Sequence, residues 1–65
     1  MRIVLNGEPR EVEACRLPAL LEELGFGEVI VATAVNGAFI PAVARVETII
    51  GDGDRLEVLS PRQGG

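Results

Sequence analysis

Histidine, lysine, tryptophan and tyrosine are absent from this 65-residue chain, and cysteine occurs once. Without histidine the chain lacks the commonest general base and metal ligand, so neither a catalytic triad nor a zinc site can be assembled from its residues. The single cysteine, Cys15, excludes an internal disulfide and a multi-cysteine metal site. No histidine stands ready to activate it, and its place at the end of an expected strand reads as a buried structural position. Lacking lysine, the chain offers no side-chain amine for building isopeptide-linked chains of itself. No apolar run approaches the roughly 18 residues of a membrane-spanning helix, and Met1–Leu5 is too brief for a signal peptide. A cytoplasmic protein with no membrane partner is expected. Basic charge is also scarce. The net charge of −4 argues against nucleic-acid phosphates as a partner and favours proteins with a basic docking surface.

What remains is an aliphatic chain of one small domain. Hydrophobic residues make up 48%, drawn from Val, Ile, Leu and Ala, with Phe26 and Phe39 the only aromatics. A chain of this length buries only about 60% of its unfolded surface, so stability is expected at the low end of about 5–15 kcal/mol.

The pattern along the chain predicts β-β-α-β-β-β. Met1, Ile3 and Leu5 share one face of a first strand, and Asn6-Gly7 is a hairpin-turn signal. Glu8-Pro9 follow, which leaves room for a slightly longer loop. Arg10–Ala14 alternates, with Val12 and Ala14 inward against Glu11 and Glu13. Leu17, Leu20, Leu21 and Leu24 then form one helical stripe. Pro18 suits its first turn and Gly25 its stop, while no polar residue occupies the N-cap. Glu22 and Glu23 fall at the negative end of the helix dipole, a mildly unfavourable place.

Val29–Val35 alternates as a third strand, and Asn36-Gly37 turns it toward Phe39-Ile40, where Pro41 stops the return. Ala42–Ile50 is ambiguous: a helical turn and loop could bury Val43, Val46 and either Ile49 or Ile50. Gly51–Asp54 turns into the last strand, Arg55–Ser60, with Leu56 and Val58 inward. One helix covers one face of a sheet, so an α+β two-layer roll follows. For that helix to connect two hairpins, the first and last strands lie side by side and parallel at the centre of a mixed sheet.

Two apparent motifs dissolve on inspection. Asp52 and Asp54 open like a calcium loop, but its sixth position is Glu57 and its twelfth Gln63. Gly25-Phe26-Gly27 follows a helix and lacks the further glycines and lysine of a phosphate loop. No metal and no bound cofactor are expected.

The informative segment is Pro61-Arg62-Gln63-Gly64-Gly65 after the last strand. These residues read as a flexible tail on a domain of residues 1–60. Extended, the tail reaches about 17 Å. A terminal carboxylate, ionised at neutral pH, is a nucleophile that can attack the α-phosphate of ATP in a partner's pocket. Residues without a Cβ let the backbone lie against a nucleotide there. The face of the sheet left bare by the helix presents Arg2, Val4, Glu11, Glu13, Ile30, Ala32, Ala34, Glu57 and Leu59. Val4, Ile30 and Leu59, with Arg62 beyond, form a candidate docking surface.

Asn6-Gly7, Leu20-Leu21-Glu22-Glu23-Leu24-Gly25, Val35-Asn36-Gly37 with Ile40-Pro41, Asp52–Val58 and Gly64-Gly65 together resemble the ThiS-like sulfur carriers of thiamine biosynthesis. Those are small ubiquitin-like β-grasp proteins, and the resemblance covers most of the chain. It implies a carrier protein and not an enzyme. An E1-like adenylating enzyme would use ATP to activate the Gly65 carboxylate, and sulfur from a cysteine desulfurase or other sulfur donor would replace AMP. Thiazole synthase would then take sulfur from the resulting thiocarboxylate. Gly64 would allow the tail to thread into both enzymes. Carriers for molybdopterin, cysteine synthesis or tRNA thiolation share these features, as do ubiquitin-like protein modifiers, and Arg45–Ile50 and Ser60–Gln63 do not separate them.

Overall fold

Two turns of identical chemistry set the register of the sheet. Asn6 and Gly7 take φ angles of 50° and 87°, and Asn36 and Gly37 repeat them at 51° and 87°. Both central residues of a type I′ hairpin turn must have positive φ, which asparagine and glycine tolerate best. The structure, a computed structural model, describes residues 1–60.

The first turn joins β1 (Arg2–Leu5) to β2 (Glu8–Glu11), with Leu5 opposite Glu8. The loop is therefore two residues long, and the second strand starts and ends earlier than the expected Arg10–Ala14. Pro9 is accommodated within it. Met1 and Val12 exchange backbone hydrogen bonds of 2.9 and 3.0 Å. Alternation from that pair turns the Pro9 nitrogen away from β1, on the outer side of an edge strand. Val12 is buried and Ala14 half-buried, although both lie past the strand's end. Cys15 consequently sits in the connection to the helix and is exposed, which corrects the expectation of a buried position.

Helix α1 (Leu17–Glu23) has Pro18 in its first turn and no side-chain cap at Arg16. It ends in a Schellman motif: Phe26 N–H donates to Leu21 O at 2.8 Å and Gly25 N–H to Glu22 O at 3.1 Å, with Gly25 at φ 93°. Leu17, Leu20 and Leu21 are buried and Leu24 packs against them.

Strand β3 (Ala32–Val35) is shorter than the expected Val29–Val35 because its partner ends first: Ala32 pairs with Leu59, the last residue of β5 (Arg55–Leu59). The segment before it is held differently. Arg45 Nη2 donates to Val31 O at 2.7 Å, and Val29 N–H closes a turn onto Phe26 O. β4 (Ala38–Ile40) returns from the second turn and stops at Pro41.

Ala42–Glu47 resolves as a 3-10 helix. Side chains three apart eclipse in such a helix, so Val43 and Val46, with Ile49 beyond, are exposed by 86%, 60% and 56%. The expectation that Val43 and Val46 are buried is thus corrected, and of the two isoleucines it is Ile50 that enters the core, at 1% exposure. Ile50 N–H bonds to Cys15 O and Leu17 N–H to Thr48 O, tying this segment to the start of α1.

The sheet order is β2-β1-β5-β3-β4, with β1 and β5 parallel at its centre. Ile3, Leu5, Leu56 and Val58 on its inner face meet Leu17, Leu20, Leu21 and Ile50 in one core. The architecture is a mixed five-stranded sheet covered on one side, the α+β roll that the sequence predicts. Among the described residues no helix is long and apolar enough to cross a membrane.

Candidate functional site

The central strand β5 leads directly toward the expected tail, and its neighbours fix it along its length. On one side Thr33 is opposite Val58 and Ala32 opposite Leu59. On the other, Val4 N–H donates to Asp54 O and Asn6 N–H to Leu56 O, each at 3.0 Å. Both turn asparagines also reach this strand with their side chains. Asn36 Oδ1 accepts Arg55 N–H at 2.9 Å, while Asn6 Oδ1 accepts Val58 N–H at 2.9 Å and Asn6 Nδ2 donates to Val58 O at 3.2 Å.

Acidic side chains hold the turn that starts β5. Asp52 Oδ1 accepts Arg2 N–H at 2.7 Å. Asp54 accepts Gly51 N–H at 2.7 Å and Asn36 Nδ2 at 3.0 Å, and these bonds, the Gly51 one foremost, hold its carboxyl below the usual range. Both carboxylates thus serve the turn. Among the described residues no three His, Cys, Asp or Glu side chains gather as metal ligands.

Because β5 alternates, Leu56 and Val58 are buried while Leu59 is 69% exposed on the bare face. Ala32, Ala34 and Phe39 join it there, and with Glu57, Thr33 and, at its rim, Asn6 they line a shallow apolar depression of about 170 Å³. Phe39, 67% exposed, was not among the residues expected on this surface. The signal for it lies in the turn: a two-residue loop at Asn36-Gly37 sets Phe39 opposite Ala34, and strand alternation puts Ala34 on the bare face. The small alanines leave a hollow between the two larger side chains.

The expected docking residues do not form one cluster. Val4 is half-buried and level with Arg55, four residues along β5 from Leu59, about 13 Å at strand spacing. Ile30 is exposed in the segment preceding β3 and does not line the depression beside Leu59. Arg62, Gly64 and Gly65, and the 61–65 tail as a whole, lie outside the described residues. A larger groove, about 450 Å³, runs between α1 and the 3-10 helix beside Leu21, Phe26, Val31 and Val46. No residue of β5 lines it, so the depression beside Leu59 is the better candidate for a surface that works together with the tail.

The fold and the sequence have known counterparts. The sulfur carrier protein ThiS of Thermus thermophilus is 38% identical over 61 residues, covering 94% of this chain and 95% of that protein. A thiazole synthase of Paramagnetospirillum magneticum is 36% identical over 66 residues; the match takes in 100% of this chain but only 20% of that longer protein. The crystal structure of the thiamine biosynthesis protein ThiS from Geobacter metallireducens has a TM-score of 0.80 at 28% identity, over 92% of this chain and 93% of that one. A model of the ThiS family matches residues 3–65, from the first strand through both terminal glycines. The chain belongs to the ThiS family.

Proposed function

We propose that this chain carries sulfur for thiazole formation in thiamine biosynthesis, and that the carrying group is the carboxyl of Gly65. The observation that bears most weight is the family match through Gly64-Gly65, joined to a fold whose central strand leads to that segment. The chain acts as a co-substrate of other enzymes. In an adenylating enzyme the Gly65 carboxylate oxygen attacks the α-phosphorus of ATP, and pyrophosphate leaves. A sulfur nucleophile from a cysteine desulfurase or other donor then displaces AMP from the acyl carbon. Where the nucleophile is a persulfide, a thiol cleaves the resulting acyl disulfide to leave the thiocarboxylate. Gly64, without a Cβ, lets the tail lie close along both partners' channels.

Thiazole synthase is the acceptor that the comparisons favour. A protein of that name contains a stretch similar to this entire chain, so carrier-like and synthase sequences occur in one polypeptide. The docking surface on this side is the Phe39–Leu59 depression, and the net charge of −4 suits partners with basic rims. Changing Phe39 to Asp should leave the unfolding midpoint nearly unchanged while raising the dissociation constant for the adenylating enzyme about tenfold or more. Calorimetric titration checks this, and unchanged affinity removes the surface from the account.

The test of the function uses purified chain, ATP, an adenylating enzyme and a sulfur donor, followed by intact-mass spectrometry and transfer to thiazole synthase. Replacement of one oxygen by sulfur at Gly65, with turnover by the synthase, is expected. Larger adducts on lysines of other proteins would instead indicate a protein modifier.

A further inference from the structure

Asparagine 6 does more than turn the first hairpin. In a parallel ladder every second residue of one strand donates N–H to one residue of its neighbour and accepts N–H from the residue two further on. Asn6 N–H donates to Leu56 O, so its own carbonyl would next accept Val58 N–H. That cannot happen, because Asn6 is at φ 50° and its backbone has already left β1. The side chain takes over: Oδ1 accepts Val58 N–H at 2.9 Å and Nδ2 donates back to Val58 O at 3.2 Å. The amide group thus imitates one more residue of β1 after β1 has ended.

The position matters because, among the described residues, the Asn6 side chain is the partner that meets both backbone groups of Val58. Asn36 N–H bonds to Arg55 O at 2.7 Å, and alternation along that antiparallel pair directs Glu57 and Leu59 toward β3. The backbone groups of Val58 therefore face the side where β1 has stopped. We infer that Asn6 is a positioning residue for sulfur loading: its side chain fixes the point at which the last strand ends and the tail begins. Held there, Leu59 stays in register on the docking face, and the reach from that face to Gly65 is set. This inference rests on the proposed role of Gly65.

Asn36 provides a matched control. Its amide oxygen likewise accepts a β5 N–H, but at Arg55, the end remote from the tail, while its Nδ2 donates to Asp54 and it stands outside the depression that Asn6 borders. Asn6→Gly and Asn36→Gly both retain a residue suited to positive φ, and each removes two side-chain hydrogen bonds, both to Val58 for Asn6 and to Arg55 N–H and the Asp54 carboxylate for Asn36. Steady-state adenylation should show the KM for the carrier rising about tenfold in Asn6→Gly, equivalent to about 1.4 kcal/mol, with kcat within about twofold of wild type. Asn36→Gly should leave both constants near wild type, and hydrogen exchange at Val58 N–H should quicken only in Asn6→Gly. Asn6→Asp, which keeps the acceptor for Val58 N–H and loses the donor, should fall between and serves if the glycine variant does not fold. Equal KM values for the two glycine variants, or fast Val58 exchange without a KM change, would overturn the inference while wild type is still adenylated. Failure of wild type itself to be adenylated would instead defeat the reading of Gly65.

Discussion

Glu23 has opposite meanings in the sequence and in the fold. By position it faces the negative end of α1's dipole. In the structure its carboxylate accepts Glu13 N–H at 3.0 Å and Ala14 N–H at 2.9 Å, in the connection where β2 has run out of partners. These bonds, Ala14's first, lower its pKa. A depressed folded pKa means that the stabilisation is complete above a glutamate's ordinary value of about 4.3 and is lost as pH falls through the lowered value. Glu23→Gln should therefore lower the urea midpoint at pH 7 and converge with wild type as pH falls through the lowered value, as paired unfolding curves can verify. Thr33 is the second such residue. Buried at 1% exposure, its hydroxyl donates to Ile40 O at 2.9 Å and accepts Arg45 Nε at 3.1 Å. Thr33→Val leaves Arg45 Nε without its acceptor and removes the side-chain bond to Ile40 O, and a loss of about 1–3 kcal/mol is expected. Neither role was legible in the sequence, because each depends on which backbone groups other segments leave unpaired.

At the scale of elements, legibility followed local chemistry. Both Asn-Gly turns, the leucine stripe with its Gly25 stop, and the alternation of Leu56 and Val58 carry their own period or turn signal, and each forms where the pattern places it. The segment Ala42–Ile50 does not, since Val43, Val46 and Ile49 are spaced as a buried helical stripe would be. The 3-10 geometry stacks Val43 and Val46 outward, and in the extended segment after it Ile49 is exposed while Ile50 fills the core. A pair of substitutions tests this reversal. Val43→Lys should shift unfolding free energy by no more than about 0.5 kcal/mol, whereas Ile50→Ala should cost about 2–5 kcal/mol. Denaturant titration of the two variants distinguishes them, and a Val43→Lys chain as damaged as Ile50→Ala would contradict the assigned faces. The candidate site was legible only in part for a related reason. Leu59 could be placed by alternation, but Phe39 required the register across the second hairpin.

Considered whole, the molecule is a rigid acidic body with one sheet face covered and one bare. The central pairing of β1 with β5 ties the chain's first strand to its last, so the segment leading to Gly65 leaves from the best-supported part of the fold. In the proposed function the body supplies recognition at Phe39 and Leu59, and the chemistry takes place at a group that the body only presents. That division can be tested by comparing the native chain with one bearing a C-terminal amide on Gly65, each incubated with ATP, the adenylating enzyme and a sulfur donor. The native chain should gain sulfur in place of one oxygen on Gly65 while the amide retains its original mass and still binds the enzyme. Equal sulfur gain by both chains would contradict a carrier whose working group is the Gly65 carboxylate.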